Sequence, residues 1–290
     1  MHLLNLKSLS KKQIEEIIDL GIKLKKSHNK YYDSLKNRIL VMLFEKNSTR
    51  TRISFEAGMA QLGGHAIYLD WNTTQLKKAA LKDETKCIAR YADIIMARVY
   101  KHETIQEIAK NSSKPVINGL CDKYHPCQAL ADLMTIKEKF GKLQGLKLAY
   151  IGDGNNVCNS LIVGCQKVGI KVSVAAPKGY EPLEKPDMLT QDPEEAAKDA
   201  DIIYTDSWIS MGQEQESKKR LKVFPKYQVN KKILGKALFM HCLPAYRGYE
   251  VTDDVIDSEQ SIVYDQAENR LHAQKALMLI MLNKNEKNKE

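Results

Sequence analysis

Long apolar segments, glycine, proline and cysteine are all scarce in this sequence. No apolar run approaches the ~18 residues that a membrane-spanning helix needs. The 15 glycines and 8 prolines among 290 residues are too few for a low-complexity chain. Six cysteines, none in a C-x-x-C pair, fit neither a disulfide scaffold nor the zinc-knuckle and thioredoxin motifs. Residues 1–12 lack the apolar core of a signal peptide, so we expect a cytoplasmic protein without membrane contact.

Negative charge is also under-represented, since 36 acidic residues face 45 basic ones and the formal net charge is +9. The excess is local, because the segment 217–249 contains nine Lys or Arg residues and no Asp or Glu. Such a segment can attract a small anion, or it can be a solvated helix face. We do not expect a nucleic-acid partner, because the sequence has no recognised nucleic-acid-binding motif and only 7% aromatic residues.

What the sequence does contain is a repeated alternation of strand and helix patterns. A first helix is predicted after Ser10, which forms a capping-box pattern with Gln13. The continuous apolar run at 39–44 is typical of a strand buried on both faces. Further strands are predicted at 65–69, 93–99 and 115–118, and then at 146–151, 171–176, 202–205, 237–243 and 261–264.

This alternation predicts the α/β fold class, with two doubly wound domains that are each built on a parallel sheet. The charged, glycine-bearing stretch at 137–145 indicates the boundary, so we expect domains at 1–140 and 141–265. In open α/β sheets, ligands bind beyond the carboxyl ends of the strands. The side chains that directly follow each strand are therefore the candidates for function.

Small hydroxyl and basic residues follow the first strand. Ser48, Thr49, Arg50 and Thr51 lead into a helix, whose free backbone N–H groups and positive end can hold a phosphate. An ordinary helix cap followed by a basic surface turn would give the same pattern. Arg98 ends the third predicted strand, where it can bind phosphate or a carbonyl oxygen, or lie on the surface.

Other strand ends carry groups that suit acid–base or amine chemistry. His125 precedes a helix that begins with proline, and it can donate to an oxyanion or transfer a proton. Asp206 can hold a cationic amine or cap a helix, and Cys242 can be a nucleophile. The segment Gly152-Asp153-Gly154 has only two of the three glycines of a dinucleotide fingerprint, which leaves a nicotinamide-dependent oxidoreductase as a weakly supported alternative.

Taken together, four segments resemble the aspartate/ornithine carbamoyltransferase superfamily, in the order in which that family carries them. The carbamoyl-phosphate signature is similar to Ser48-Thr49-Arg50-Thr51-Arg52 with Ser54-Phe55-Glu56, and the His-Pro-x-Gln element to His125-Pro126-Cys127-Gln128. The ornithine branch of the family is similar in two further segments, which are Asp206 with Ser210-Met211-Gly212 and His241-Cys242-Leu243-Pro244. The resemblance covers nearly the whole chain.

The resemblance implies an activity and an architecture. The activity is transfer of the carbamoyl group of carbamoyl phosphate to the δ-amine of L-ornithine, which gives L-citrulline and phosphate without a cofactor or a metal. A carbamoyltransferase for aspartate, putrescine or acetylornithine is the alternative. The implied architecture has two domains joined by helices, a C-terminal helix at 266–285 that packs back on the first domain, and a homotrimer with active sites near the subunit interfaces.

The resemblance also implies roles for individual residues. It assigns carbamoyl phosphate to Ser48, Thr49, Arg50, Thr51, Gln75, Arg98, His125, Pro126, Cys127, Gln128, Cys242, Leu243 and Arg270. It assigns ornithine to Asn156, Asp206, Ser210 and Met211, and catalysis to Arg50, Thr51, Arg98, His125, Asp206 and Cys242. Gln75 departs from the family pattern, because its loop looks short and lacks the acidic–serine pair of the family. In the family, that loop reaches into the site of a neighbouring subunit.

Overall fold

The computed structural model describes residues 1–209 and 214–287. The chain forms two compact units. The first unit contains Met1–Met134 and the chain from Glu268 onward, and the second contains Thr135–Ala267. Among the described residues, no helix combines the length and the apolar composition that a membrane span would need.

The first unit is built on a four-stranded parallel sheet with the strand order β2-β1-β3-β4. Its elements, in chain order, are α1 (Lys11–Lys26), β1 (Ile39–Phe44), α2 (Thr49–Gln61), β2 (His65–Asp70), α3 (Leu81–Tyr91), β3 (Ile94–Arg98), α4 (His102–Asn111), β4 (Val116–Leu120) and α5 (Pro126–Phe140). Helix α5 continues past Met134 into the second unit. The doubly wound fold predicted from the alternation is confirmed.

Local sequence explains where these elements begin and which faces they bury. Ser10 and Gln13 form the predicted capping box, in which each side chain accepts from the other residue's backbone N–H at 3.2 and 2.9 Å. Five of the six residues of β1 are buried, as expected for a parallel strand covered on both faces. Leu43, Ile95 and Ile105 belong to the hydrophobic core on one side of this sheet. Each such side chain contributes about 1.5–3 kcal/mol through its burial.

The second unit is built on a five-stranded parallel sheet with the strand order β7-β6-β5-β8-β9. Its elements, in chain order, are β5 (Lys147–Ile151), α6 (Asn156–Val168), β6 (Lys171–Ala175), β7 (Met188–Thr190), α7 (Pro193–Ala197), β8 (Ile202–Thr205), α8 (Ser217–Val223), α9 (Lys231–Leu234), β9 (Leu238–His241) and α10 (Asp253–Ile256). The core of this unit includes Ile151, Phe224 and Phe239.

The last helix, α11 (Val263–Lys287), starts in the second unit and packs on the first. Lys275 donates a hydrogen bond to Gln61 Oε1 at 2.8 Å, and Lys25 donates one to Asn269 Oδ1 at 2.9 Å. Gly58 allows the close approach of α2 and α11, because a Cβ at this position would lie 3.2 Å from Lys275 Cγ. The prediction that the C-terminal helix packs back on the first part of the chain is confirmed.

Two strand predictions differ from the structure. The strand at 261–264 is wrong, because Ser261 forms only an isolated bridge to Phe239 and α11 begins at Val263. Ile262 and Val263 are β-branched, which favours a strand locally, but both are buried at the start of the helix. Strand β7 was not predicted, because it has three residues and lies at the sheet edge with an exposed side.

The strand orders locate the ligand-binding edge of each sheet. In the first unit the winding direction reverses between β1 and β3, and in the second it reverses between β5 and β8. The loops beyond the carboxyl ends of these strand pairs diverge and leave a crevice where doubly wound proteins bind ligands. These loops contain the residues that the sequence indicated.

Candidate active site

The reversal in the first unit brings the start of α2 next to the end of β3. Ser48 is the N-cap of α2, and its Oγ accepts from the Thr51 N–H at 3.3 Å. Arg98, the last residue of β3, is buried, and its carbonyl oxygen accepts from the Glu45 N–H at 2.9 Å. A helix N-terminus with unpaired N–H groups and a buried arginine therefore share one sheet edge, which favours an anion.

A chain of hydrogen bonds connects α2, α5 and α11 behind this edge. Arg270 donates through Nη2 to Thr51 Oγ1 at 2.8 Å and through Nη1 to Gln128 Oε1 at 2.9 Å. Gln128 donates through Nε2 to Asp132 Oδ1 at 2.8 Å. Because a carboxylate only accepts, Asp132 fixes the Gln128 amide with its oxygen towards Arg270. The Thr51 hydroxyl accepts from Arg270, so its own proton is directed to another acceptor.

His125 lies directly before α5 and is 4% exposed. Its carbonyl oxygen accepts from the Gln128 and Ala129 N–H groups at 3.1 and 3.3 Å, which anchors the residue to the first turn of the helix. Burial lowers the pKa of His125 well below its usual value, and four nearby cations lower it further, namely Arg270, Arg98, Lys46 and Arg50. The imidazole is therefore neutral at physiological pH. We call these four side chains the cation cluster. Because they act on one buried ring, they favour a small, multiply charged anion as ligand.

Sequence reasoning missed two residues of this site, which are Lys46, one of the four cations, and Asp132, the partner of Gln128. Lys46 is buried, and its ammonium group lies 5.5 Å from the centre of the Tyr100 ring. Its position directly after β1 could have indicated it, by the same argument that selected Ser48. Asp132 could have been found from its spacing, because residues i and i+4 are neighbours on a helix and Gln128 lies four residues earlier.

The remaining predicted residues of the first unit are placed differently. Arg50 is half-buried in the first turn of α2, and Thr49 is exposed. Pro126 begins α5, and the buried Cys127 thiol donates to the Asn118 carbonyl oxygen of β4 at 3.5 Å. Burial raises the pKa of Cys127 to about 12, which indicates a packing role for this side chain. Gln75 is exposed on a 3-10 turn, Gln75–Lys77, and among the described residues it forms no hydrogen bond with the cation cluster.

The reversal in the second unit brings together an amide, a carboxylate and a thiol. Asn155 is the N-cap of α6, and its Oδ1 accepts from the Val157 and Cys158 N–H groups at 2.9 and 3.1 Å. Its Nδ2 donates to Asp206 Oδ2 at 2.8 Å. The Cys242 thiol, beyond β9, donates to Asp206 Oδ1 at 3.0 Å. Asp206 is buried with both carboxylate oxygens oriented, so it can hold a cationic group.

Asn155 was missed by the sequence analysis, which selected Asn156 instead. Asn156 is the first residue of α6 and is half-exposed, and its carbonyl oxygen accepts from Ser160 Oγ at 2.9 Å. An asparagine just before a predicted helix is a frequent N-cap, and this signal could have identified Asn155. Ser210 and Met211 lie outside the described residues.

The loop after β9 has an unusual backbone. Leu243 has φ 58°, in the left-handed region, and is followed by a cis peptide bond to Pro244. The left-handed φ costs a branched side chain about 1–3 kcal/mol, and strain of this kind clusters at functional sites. The Leu243 N–H donates to His241 Nδ1 at 2.9 Å. Cys242 and Leu243 therefore lie in a loop whose path is imposed by the surrounding structure.

A dinucleotide and a metal ion are two other ligands to consider for this unit, and both are poorly accommodated. A Cβ at Gly154 would lie 2.2 Å from the Pro182 nitrogen, so the chain itself covers the glycine that a dinucleotide would approach. Among the described residues, Asp206, His241 and Cys242 bring one potential metal ligand each within 4.8 Å of the others. However, the two ring nitrogens of His241 already bond to Leu243 and Glu250, so hydrogen bonding explains this group.

Two family models match successive parts of the chain. Residues 1–138 match the family model of the aspartate/ornithine carbamoyltransferase carbamoyl-P binding domain, and residues 144–281 match that of the Asp/Orn binding domain. An ornithine carbamoyltransferase of Methanocaldococcus jannaschii is 52% identical, with 96% of this chain and 97% of that protein covered. An anabolic ornithine carbamoyltransferase of Pyrococcus furiosus is 52% identical, with 86% of this chain and 85% of that protein covered.

Solved structures give the same result. The ornithine carbamoyltransferase structure from Pyrococcus furiosus superposes with a TM-score of 0.93 at 48% identity and covers 97% of both chains. Two domain models that together span most of the sequence, and relatives of about half-identical sequence over nearly its full length, carry the same family description. The chain therefore belongs to the aspartate/ornithine carbamoyltransferase family.

Proposed function

We propose that the protein is an ornithine carbamoyltransferase, which transfers the carbamoyl group of carbamoyl phosphate to the δ-amine of L-ornithine and releases L-citrulline and phosphate. The observation that carries the proposal is the buried cation cluster around neutral His125, which suits a phosphate dianion attached to an uncharged carbamoyl group. The names of the relatives at about 50% identity support ornithine as the second substrate.

We assign carbamoyl phosphate to the domain at 1–140 with the C-terminal helix that returns to it. The phosphate oxygens would accept from the first turn of α2 and from the side chains of Ser48, Thr49, Arg50 and Thr51. Arg98, His125 and Gln128 would hold the carbamoyl end together with Arg270. Pro126 and Cys127 would contribute through the loop and helix start that they form, and Cys242 and Leu243 are assigned to carbamoyl phosphate by their motif positions.

The hydrogen-bond directions within the cluster suit a carbamoyl group. Because Gln128 Oε1 is held towards Arg270, it presents an acceptor to which the carbamoyl NH₂ group can also donate. The Thr51 hydroxyl accepts from Arg270, so it can donate to the carbonyl oxygen. Neutral His125 and Arg98 add two more donors to that oxygen. These groups would stabilise the oxyanion of the tetrahedral intermediate without having to reorganise during the reaction.

We assign ornithine to the domain at 141–265. Asp206, oriented by Asn155 and Cys242, would hold an ammonium group of the substrate, and Asn156, Ser210 and Met211 are assigned by their motif positions. The neutral δ-amine would attack the carbamoyl carbon, so that a C–N bond forms and the C–O bond to phosphate breaks. The departing phosphate can take the proton that the amine loses. Holding both substrates in attack geometry can supply ~7–11 kcal/mol of the rate acceleration.

The setting of the activity is also a proposal. A homotrimer with active sites near its subunit interfaces, with Gln75 reaching a neighbouring site, follows from the family resemblance. The anabolic name of the Pyrococcus furiosus relative supports a role in arginine biosynthesis. We place the enzyme in the cytoplasm, without a cofactor, a metal, a nucleic-acid partner or a membrane partner.

An amine-competition assay tests the proposed function. Purified protein with carbamoyl phosphate is expected to form citrulline and phosphate in equal amounts with ornithine, and at least a hundredfold less carbamoylated product with aspartate, putrescine or N-acetylornithine. Arg50→Ala serves as the control for contaminating enzyme, because it removes one cation of the phosphate site and should abolish turnover while the circular dichroism spectrum is retained. Faster turnover of one of the other amines would reject ornithine as the substrate.

A further inference from the structure

A buried imidazole holds the loop that follows β9, and its partners allow only one tautomer. His241 and Glu250 are completely buried. Because the backbone N–H of Leu243 can only donate, His241 Nδ1 must be the acceptor of their 2.9 Å hydrogen bond. The ring proton is therefore on Nε2, from which it is donated to Glu250 Oε1 at 3.2 Å. An imidazolium would oppose the Leu243 N–H with a second donor.

The groups around the imidazole fix its position. The His241 N–H donates to Gln266 Oε1 at 2.9 Å, and Gln266 Nε2 donates to the Tyr204 hydroxyl at 2.9 Å. Glu250 Oε1 also accepts from the Tyr246 N–H at 2.5 Å, which ties the far end of the loop to the same carboxylate oxygen. His241 is thus anchored through its main chain and both ring nitrogens, and the loop is held at both ends.

The residue that receives this support is the strained one. Leu243 has φ 58°, and its N–H is the group that His241 Nδ1 binds. Relaxation of Leu243 to an ordinary φ would turn that N–H away and rotate the peptide groups on either side of it. The Cys242 thiol, which now donates to Asp206 Oδ1 at 3.0 Å, would lose its direction as well.

We propose that His241, oriented by Glu250, is a positioning residue that keeps Leu243 in its left-handed conformation and thereby sets the directions of the Leu243 carbonyl and the Cys242 thiol. The proposal rests on the proposed function, in which Cys242 and Leu243 are assigned to carbamoyl phosphate. It predicts that loss of the Nδ1 acceptor weakens carbamoyl phosphate binding more than ornithine binding.

The tautomer can be measured without any activity. In a sample with ¹⁵N-labelled histidine, the signals that disappear in His241→Asn belong to His241, which separates it from the other histidines among the 7 in the chain. We expect a protonated Nε2 and an unprotonated Nδ1 at pH 8, where the ring is neutral. A protonated Nδ1 would overturn the proposal.

Two substitutions separate positioning from packing. In His241→Asn the amide oxygen lies about where Nδ1 was and can accept from Leu243, whereas His241→Gln reaches towards Glu250 and leaves Leu243 without its acceptor. We expect the KM for carbamoyl phosphate to stay within about threefold in His241→Asn and to rise at least tenfold, about 1.4 kcal/mol, in His241→Gln. In His241→Gln the KM for ornithine should rise less than the KM for carbamoyl phosphate, because Asn155 still orients Asp206. The melting temperature should change similarly in both variants.

An equal rise of the carbamoyl phosphate KM in both variants, or a lower melting temperature with no KM change, would assign His241 to packing alone and reject positioning. The His241 signals can be assigned from either variant, so the histidine spectrum of the unmodified protein tests the proposal even where one of the two variants does not fold. Failure of the unmodified protein to form citrulline would instead reject the proposed function, while the tautomer measurement would still report on His241. The two failures are therefore distinguishable.

Discussion

The charge state of His125 is set by its surroundings, and this makes part of the folding free energy depend on pH. Burial and four cations lower the pKa of His125 well below 6.5, whereas in the unfolded chain the ring titrates near its usual value. Between the two pKa values the unfolded state binds one proton more than the folded state, so stability falls as pH decreases below about 6.5. The loss approaches ~1.4 kcal/mol for each pH unit until the folded-state pKa is reached.

This loss should disappear when the ring is replaced by an amide. We expect the free energy of unfolding of the unmodified protein, minus that of His125→Gln, to decrease between pH 7.5 and pH 5, as measured by urea unfolding at one fixed protein concentration. Lys46→Met is the matched variant, because it removes one of the cations that lower the pKa of His125. In this variant the free energy of unfolding should still fall with decreasing pH, but by a smaller amount. A difference that is independent of pH would mean that His125 is not buried as a neutral ring.

The sequence predicted which residues are candidates for the site better than it predicted which residues contact one another. Thr51, Arg98, His125 and Gln128 could be selected from sequence because each follows a predicted strand or lies in a motif. Lys46 and Asp132 were missed, although their position after β1 and the i, i+4 spacing could have indicated them. Arg270 was named only through the family resemblance, because it lies 142 positions beyond Gln128, with which it shares a hydrogen bond. Spacing rules describe neighbours within one helix or strand, but not a contact of that length.

At the scale of the helix, removal of two serine caps can distinguish an effect on stability from an effect on ligand binding. Ser10 caps α1 and Ser48 caps α2, and both side chains accept from the backbone N–H three residues later. Removing either hydroxyl should cost about 1 kcal/mol of stability. Only Ser48 lies at the proposed phosphate site, so Ser48→Ala should also raise the KM for carbamoyl phosphate severalfold, whereas Ser10→Ala should leave it unchanged.

Steady-state kinetics and thermal melting of both variants, measured side by side, check this expectation. The pair is matched in residue type and in the backbone N–H that the hydroxyl accepts from, three residues later, so a difference in KM reports the location of the cap and not the loss of a cap as such. An unchanged KM in Ser48→Ala would show that backbone groups and arginines hold the phosphate without this hydroxyl.

Most elements could be predicted because their patterns are strong in isolation. The predicted strand at 39–44 agrees with β1 to the residue, and the helix predicted to begin with proline after His125 is α5, which starts at Pro126. The failures are short or depend on context. Met188–Thr190 is a strand only because it pairs with β6, and Val263 and Tyr264 lie in the first turn of α11 instead of in an added strand. Pairing partners and burial are tertiary properties, which local periodicity does not contain.

For the whole molecule, the two strand orders matter more than any single motif. Both sheets reverse their winding next to their first strand in chain order, so the loops after β1 and β3, and after β5 and β8, are brought together by topology. The sequence predicted parallel sheets but not their strand orders, because alternation determines the crossovers and not which strands become neighbours. Gln75 is exposed and, among the described residues, forms no hydrogen bond with the cation cluster, so the role proposed for it requires a neighbouring chain.

Mixing two inactive variants tests this last point. If the enzyme is a trimer in which Gln75 serves the site of the next subunit, Gln75→Ala and Arg50→Ala should each lose most activity alone. In mixed trimers, a chain that carries Gln75→Ala keeps its own Arg50 and can receive Gln75 from an Arg50→Ala neighbour. Random mixing in equal amounts then restores about one quarter of the sites, because each site needs a chain with an intact Arg50 and a neighbour with an intact Gln75. Each of these two conditions holds in about half of the cases.

The expected result is that co-refolding the two variants recovers about one quarter of the unmodified activity, with a mass near three times the 33.0 kDa chain in sedimentation analysis. Arg50→Ala mixed with Arg98→Ala is the matched control, because both residues belong to the same chain's cation cluster and no mixed site can be complete. Recovery in the control as well would indicate a contaminating enzyme. A trimer that shows no recovery in the test pair would mean that Gln75 does not serve the neighbouring site, and that the exposed turn at 75–77 has no part in the reaction.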